Sequence, residues 1–278
     1  MNMDDIELAK VYPSLKGGIL TPSILPYPFD GPGVSYRRPA LIVVPGGAYM
    51  MISKREGLPV ANQFLARGFQ TFVLTYLCSP EAVYPEQLKE LACAVDYVKK
   101  HADEYWVNPD EVFAVGFSAG GHLVGNLTME ENDIAKDHHL DIDCKAKAVG
   151  LIYPVISPSY GYRQTHDYLL HGLPNKKELE KKLSLDEHVH SGQTPAFIAT
   201  SIEDGDVPAE NSLHYALALK ARKIPFELHM FPTGWHGFST AKNEISPNLD
   251  HKQLGKNMKN WTEMCANFFK SFCVEYLD

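Results

Sequence analysis

Glu111-Val112-Phe113-Ala114-Val115-Gly116-Phe117-Ser118-Ala119-Gly120-Gly121 is the stretch on which the reading of this chain turns. Its first half is a short apolar run that suits a strand buried on both faces of a parallel sheet. It runs directly into Gly116-x-Ser118-x-Gly120, after which a helix is expected to about Met129. The glycines have a steric reason. A sharp strand-to-helix turn forces the serine into strained backbone angles, and side chains two residues either side would collide. The turn lifts the hydroxyl above the sheet, and the helix N-terminus behind it favours developing negative charge. Two plainer readings compete: a glycine-rich turn with a capping serine, and a phosphate loop. The second lacks the GxGxxG spacing. Placement between EVFAV and a helix favours Ser118 as a nucleophile.

Working outward, Leu41-Ile42-Val43-Val44, stopped by Pro45-Gly46-Gly47, is a second buried strand, and Gln70 to Tyr76 is a third after a helix from about Leu58 to Arg67. Tyr84-Pro85 opens a helix whose Leu88, Leu91, Ala92, Val95 and Val98 share one face. Asn108-Pro109 reads as a turn. Ala148–Ile152, Ala196–Thr200 and Phe226–Phe231 are further strands; Pro208–Ala221 and Met258 to about Tyr276 are helices. Strands alternating with helices predict an α/β chain with a mainly parallel central sheet flanked by helices. Residues 11–39, rich in Pro and Gly, read as an irregular lead-in with at most short edge strands. Residues 153–194 break the rhythm with a Pro/Tyr-rich loop and the charged stretch Asn175 to Lys182, so they are expected as a small cap-like insertion within a single domain spanning 1–278.

Composition narrows the partners. A chain of 278 residues can bury roughly three quarters of its unfolded surface. With a formal net charge of −8 and no basic run longer than two residues, neither nucleic acid nor an anionic membrane is the expected partner. The first ten residues carry Asp4, Asp5 and Glu7 where a secretory leader has a basic segment, and no apolar stretch approaches ~20 residues. Five scattered cysteines without a CxxC pair read as free thiols. The cytoplasm is therefore the expected compartment, and the Asn126-Leu127-Thr128 sequon a chance match. A homo-oligomer is compatible with the chain.

A serine hydroxyl needs a base to attack at neutral pH. Where such a strand–turn–helix unit carries the nucleophile, acid and histidine follow it in that order. Of twelve histidines, His236 in Gly234-Trp235-His236-Gly237 stands beyond the last strand in a glycine-flanked loop. His229 lies within that strand, His214 within a helix, and His251 after a polar stretch as an exposed residue. The acid belongs after the Ala196–Thr200 strand, where Glu203, Asp204 and Asp206 all qualify; the pattern does not separate them. An oxyanion needs two backbone N–H donors. Ala119 supplies one, and Gly47 or Ala48, in the small-residue loop after Val44, supplies the other; a mere tight turn is the plainer reading of that loop.

Together VVPGGAY, SKREGLPVA, YPEQLKELACAVDYVKKHA leading to GFSAGGHL, YPVI, SLDEHV, DGDVPAENSLHYA and GWHG resemble the bacterial acetyl-esterase and sugar-esterase branch of the α/β-hydrolases, relatives of acetylxylan esterases and hormone-sensitive-lipase-like enzymes. The likeness runs from about Ala40 to the end. It implies an α/β-hydrolase fold and a serine carboxylesterase for short acyl esters, chiefly acetyl, of sugars or other small alcohols. It also implies that Asp204, four positions before Pro208, is the acid, with Asp206 the runner-up and Glu203 where relatives carry another acid. Pro45 stands where HGGG-type enzymes have histidine, and Ala48 replaces the third glycine. Tyr49, Arg55 and Glu56 are candidate substrate contacts; for Lys54-Arg55-Glu56 an exposed charge cluster at a helix start is the alternative. His122 is expected to pack behind the turn. Asp137-His138-His139-x-Asp141-x-Asp143 has the look of a metal cluster but reads better as a polar surface loop. The chemistry calls for no cofactor and no metal. A peptidase or a long-chain lipase of the same fold, and a catalytically silent binding protein on that scaffold, remain as rival classes.

Overall fold

The computed structural model describes residues 4–25, 36–242, 245, 254 and 256–274. Its frame is one eight-stranded sheet: β1 (Ile6–Glu7), β2 (Ile19–Ser23), β3 (Arg38–Val44), β4 (Gln70–Thr75), β5 (Val107–Phe117), β6 (Val149–Ile152), β7 (Ala196–Ser201) and β8 (Phe226–Phe231). Their spatial order is β1-β2-β4-β3-β5-β6-β7-β8. From β4 to β8 every pairing is parallel, while β1 and β2 join antiparallel at the edge. Within the 11–39 lead-in one short strand forms, β2; β1 and the helical turn α1 (Leu8–Val11) that links the two begin before it, and residues 26–35 lie outside the described residues.

Strand β3 shows why a continuous apolar run suits this place. Ala40, Ile42 and Val44 enter one core, whereas Leu41 and Val43 enter the other. The first core is closed by α3 (Glu86–Lys100), α4 (Ala119–Glu130) and α8 (Glu210–Ala221), and the second by α2 (Leu58–Leu65) and α10 (Trp261–Lys270). Phe64, Phe69, Phe113, Trp261 and Phe269 are all fully buried in the second core and contact one another edge-on, tilted or stacked. Each large side chain removed from water in this way contributes roughly 1.5–3 kcal/mol. The mainly parallel, helix-covered sheet is the architecture anticipated from the strand–helix alternation.

Some boundaries differ. Asn108-Pro109 is no free turn: it sits inside β5, where the register jumps from Arg38↔Val107 to Ala40↔Val112. Pro109 has no N–H for the ladder, and the Asp110 amide donates to the Asn108 side chain at 3.1 Å, so the strand bulges instead of stopping. Helix α2 ends at Leu65 because Gly68 (φ +93°) turns the chain into β4. The closing helix is broken at Asn260 into α9 (Lys256–Lys259) and α10; the Tyr276 end lies outside the described residues, as does His251. Segment 153–194 holds two short helices, α6 (Gln164–Leu169) and α7 (Lys176–Lys182), beside single 3-10 turns; the charged stretch forms α7. A further short helix, α5 (Ile134–Asp137), follows α4. Among the described residues no helix is long and apolar enough to cross a membrane.

Candidate active site

Ser118 caps α4 with φ 52° and ψ −117°, a conformation costing roughly 1–3 kcal/mol for a non-glycine residue. Hydrogen bonds hold it there: its amide donates to the Ile152 carbonyl at 3.0 Å, and its carbonyl accepts from His122 at 3.0 Å and Val155 at 3.2 Å. The steric role assigned to the glycines is visible. A Cβ on Gly116 would lie 2.1 Å from the Gly120 carbonyl oxygen, and one on Gly120 2.2 Å from that of Val44. Neither position admits any other residue without moving the backbone.

His236 stands in the loop after β8. Its Nε2 lies 2.9 Å from Ser118 Oγ and its Nδ1 2.8 Å from Asp204 Oδ2. The Asp204 carboxylate is wholly enclosed, and its other oxygen accepts the amides of Asp206 at 3.0 Å and Val207 at 2.9 Å. Because a carboxylate only accepts, Nδ1 carries the proton and Nε2 is free to accept the serine proton. Of the three acids left open by pattern, Asp204 reaches the imidazole. Glu203 receives the Gly234 amide at 3.4 Å, helped by Ser201 Oγ donating to the Gly234 carbonyl at 2.9 Å, so both hold the histidine loop. Asp206 lines the cleft. Two competing histidines are engaged elsewhere: His229 sits 2.9 Å from Glu227 and stacks on Phe197, and His214 stacks on Tyr160.

Gly47 (φ +126°), Ala48 (φ 56°) and Tyr49 (φ 60°) all take left-handed angles, which wrap the loop after β3 around the serine. A Cβ on Gly47 would fall 2.0 Å from the Met51 carbonyl oxygen, so only glycine fits. Among the described residues no group accepts a hydrogen bond from the amides of Gly47, Ala48 or Ala119; Ala119, the first residue of α4, has no helical partner. A cleft of about 570 Å³ opens over these groups, lined by Gly47, Ala48, Met51, Arg55, Tyr162 and His236 among others.

Two expected substrate contacts are corrected. Tyr49 is fully buried and absent from the cleft wall; its hydroxyl meets His122 Nδ1 at 2.9 Å, because the left-handed turn directs the ring into the core. His122, whose Nε2 meets the Leu183 carbonyl at 3.0 Å, packs behind the elbow as expected, and burial pushes its pKa down to about 4. Glu56 borders the cleft but is only 3% exposed, and both oxygens are engaged inward: one accepts the Gly46 amide at 2.8 Å, the other the Tyr153 hydroxyl at 2.8 Å. It is neither an exposed helix-start charge nor free to grip a ligand. Arg55 lies exposed along the wall, its guanidinium against Gly237, where a Cβ would come 2.2 Å from a guanidinium nitrogen.

Tyr153, Tyr162 and Ser239 escaped the sequence reading. Tyr153 packs edge-on against His236 with ring centres 5.0 Å apart, and Tyr162 from the 153–194 segment flanks the same imidazole at 6.0 Å. Only the tyrosine of YPVI gave any prior signal for the first, and none existed for the others. All five cysteines are unpaired. Among the described residues no group of three or more His, Cys, Asp or Glu is placed to hold a metal, and Asp143 of the suspected cluster pairs with Lys99 at 2.9 Å.

A mainly parallel sheet whose central strand ends in a strained serine, with a histidine and an enclosed aspartate arriving from the loops after β8 and β7, defines an α/β-hydrolase. The model of the BD-FAE family matches residues 32–219, and the chain belongs to that hormone-sensitive-lipase-like family. It is 34% identical to endo-1,4-beta-xylanase B of Butyrivibrio fibrisolvens over 75% of this chain and 34% of that one. It is 28% identical to acetylxylan esterase of Xylanibacter ruminicola over 80% of this chain and 45% of that one. The chain thus spans between a third and a half of these two relatives. The acetyl ester-xyloside bifunctional hydrolase of Caldicellulosiruptor lactoaceticus superposes with a TM-score of 0.80 at 30% identity, covering 96% of both chains.

Proposed function

We propose that the chain hydrolyses short-chain acyl esters, chiefly acetyl esters of sugars or other small alcohols, through an acyl-enzyme on Ser118. The observation that carries this is the hydrogen-bonded series Ser118 Oγ–His236 Nε2, His236 Nδ1–Asp204 Oδ2, closed by two amides on the far carboxylate oxygen. Ser118 Oγ attacks the ester carbonyl as His236 Nε2 takes its proton; Asp204 holds the tautomer and stabilises the imidazolium. The oxyanion is received by the amides of Ala119 and of Gly47 or Ala48, each worth about 3 kcal/mol of barrier. The imidazolium then protonates the leaving alcohol, and a water activated by the same nitrogen releases the acid and restores the serine.

The similarity to a xylanase and an acetylxylan esterase supports an acetyl group on a carbohydrate alcohol, and a cleft of about 570 Å³ has room for such a small ester. Residues 153–194, through Tyr162, act as a small cap forming one wall of the cleft in a single hydrolase domain. Five unpaired cysteines suit a reducing compartment such as the cytoplasm. The test is turnover of p-nitrophenyl acetate. The protein turns it over and Ser118→Ala does not; equal turnover by the variant rejects the assignment. Along a p-nitrophenyl series the rate falls beyond short acyl chains, and a preference for octanoate over acetate would move the protein to the lipase class.

A further inference from the structure

Glu56 is a carboxylate buried beside the nucleophile, and its two hydrogen bonds lead to two different loops. One oxygen holds the amide of Gly46, the residue immediately before the oxyanion donors. The other holds the hydroxyl of Tyr153, which also accepts the amide of Ser239 at 3.1 Å, three residues beyond His236. Ser239 closes the circuit, its hydroxyl donating to the Arg55 carbonyl at 2.6 Å, while Trp261 Nε1 donates to the Ser239 carbonyl at 2.8 Å. The Tyr153 ring lies edge-on to the imidazole. The link is close-packed: a Cβ on Gly46 would lie 2.9 Å from the Glu56 carboxylate and 2.9 Å from Ser118 Cβ. Among the described residues no cation pairs with the Glu56 carboxylate, so its partners are only these loop groups.

We infer that Glu56 is a positioning residue that fixes the oxyanion loop relative to the histidine loop through Gly46 on one side and Tyr153–Ser239 on the other. This rests on the esterase reading of the Ser118 site. The Gly47 and Ala48 amides and the His236 imidazole arrive from β3 and β8, with three strands between them, yet must meet one tetrahedral carbon within a few tenths of an ångström. Glu56 is the bridge between them. It touches no reacting atom, and its effect falls on the transition state, where oxyanion and imidazolium exist together.

The test compares Glu56→Ala, Glu56→Gln and Tyr153→Phe with the parent protein, using p-nitrophenyl acetate and active-site titration so that kcat is counted per folded site. A displacement of the donors by about 1 Å costs on the order of 10²-fold. Glu56→Ala therefore loses about 10²-fold in kcat with KM within about threefold, and binds an acyl trifluoromethyl ketone, which forms a tetrahedral adduct, weaker by a similar factor. Glu56→Gln keeps an acceptor for the Gly46 amide and stays within about tenfold of the parent, whereas Tyr153→Phe cuts the histidine arm and loses about tenfold in kcat at constant KM. Should Glu56→Ala fail to fold, the other two variants decide. A raised KM with intact kcat makes Glu56 a substrate contact and overturns the proposal. Unchanged kcat per active site overturns it too. Turnover surviving in Ser118→Ala instead overturns the underlying esterase reading, which separates the two failures.

Discussion

Replacing Asp204 by asparagine changes one oxygen to an NH₂ group in a side chain that is wholly enclosed, and the surrounding bonds decide which way the amide faces. Keeping its oxygen on the amides of Asp206 and Val207 preserves bonds of 3.0 and 2.9 Å but turns the NH₂ toward His236 Nδ1. Nδ1 must then accept, the ring proton moves to Nε2, and Nε2–H points at Ser118 Oγ, 2.9 Å away, unable to take its proton. The opposite orientation restores the working tautomer but sets the NH₂ against the buried Val207 N–H and the partly buried Asp206 N–H, each donor left unsatisfied costing about 1–3 kcal/mol. The productive orientation is thus disfavoured by roughly 2–6 kcal/mol, and a neutral amide no longer stabilises the imidazolium. Both effects point to a loss of about 10⁴ in kcat. Since the favoured orientation keeps both backbone bonds, the melting temperature changes by only a few degrees. The assay is kcat and KM on p-nitrophenyl acetate beside a thermal melt. Activity within tenfold of the parent, in a folded protein, would show that Asp204 does not set the tautomer of His236 and would refute the reasoning.

Two further outcomes concern stability. Gly120→Ala drives a Cβ to 2.2 Å from the Val44 carbonyl oxygen and 2.4 Å from that of Pro45; a loss exceeding about 3 kcal/mol is expected, a fall of roughly 6–12 °C in Tm. Gly205→Ala, whose Cβ meets nothing within 4 Å, stays near the parent, and equal melts for the two would refute the steric account. Burial raises the Glu90 carboxyl to about 8, with one oxygen on the Leu77 amide and the other without a hydrogen-bond partner among the described residues. The folded state holds that proton more tightly than the unfolded chain. The protein is therefore least penalised below about pH 4.5, and this contribution to stability falls as pH rises from there to about 8. Glu90→Gln removes that slope, raising stability at pH 8.5 by on the order of a few kcal/mol relative to the parent; identical urea midpoints for the two proteins at pH 8.5 would contradict it.

The elbow was legible because its constraints recur wherever such a turn is built: Gly116 is demanded by a carbonyl oxygen four residues on and Gly120 by carbonyls at the end of the neighbouring strand, and that demand leaves a fixed pattern. The buried strands were legible for a similar reason, since a run such as Leu41–Val44 must satisfy two cores at once. The choice of acid was not. Glu203, Asp204 and Asp206 share one loop, and what separates them is the direction each side chain takes; the resemblance pointed to Asp204, which lies 2.8 Å from His236. Tyr49 and Glu56 were misjudged because a polar or aromatic residue beside an active-site glycine looks alike whether it faces the cleft or the core. For Tyr49 a left-handed backbone angle decides, and for Glu56 a tyrosine nearly a hundred residues away. The bulge at Asn108-Pro109 has the sequence of a turn because the pairing that carries β5 through it is contributed by β3.

The central claim is that Ser118 is an activated nucleophile. The most direct measurement is reaction of the intact protein with a fluorophosphonate, followed by mass spectrometry of its peptides. A single adduct on Ser118, absent from Ser118→Ala and strongly slowed in His236→Asn, is the predicted result. A folded protein that takes up no label, or one labelled elsewhere with Ser118 untouched, would contradict it.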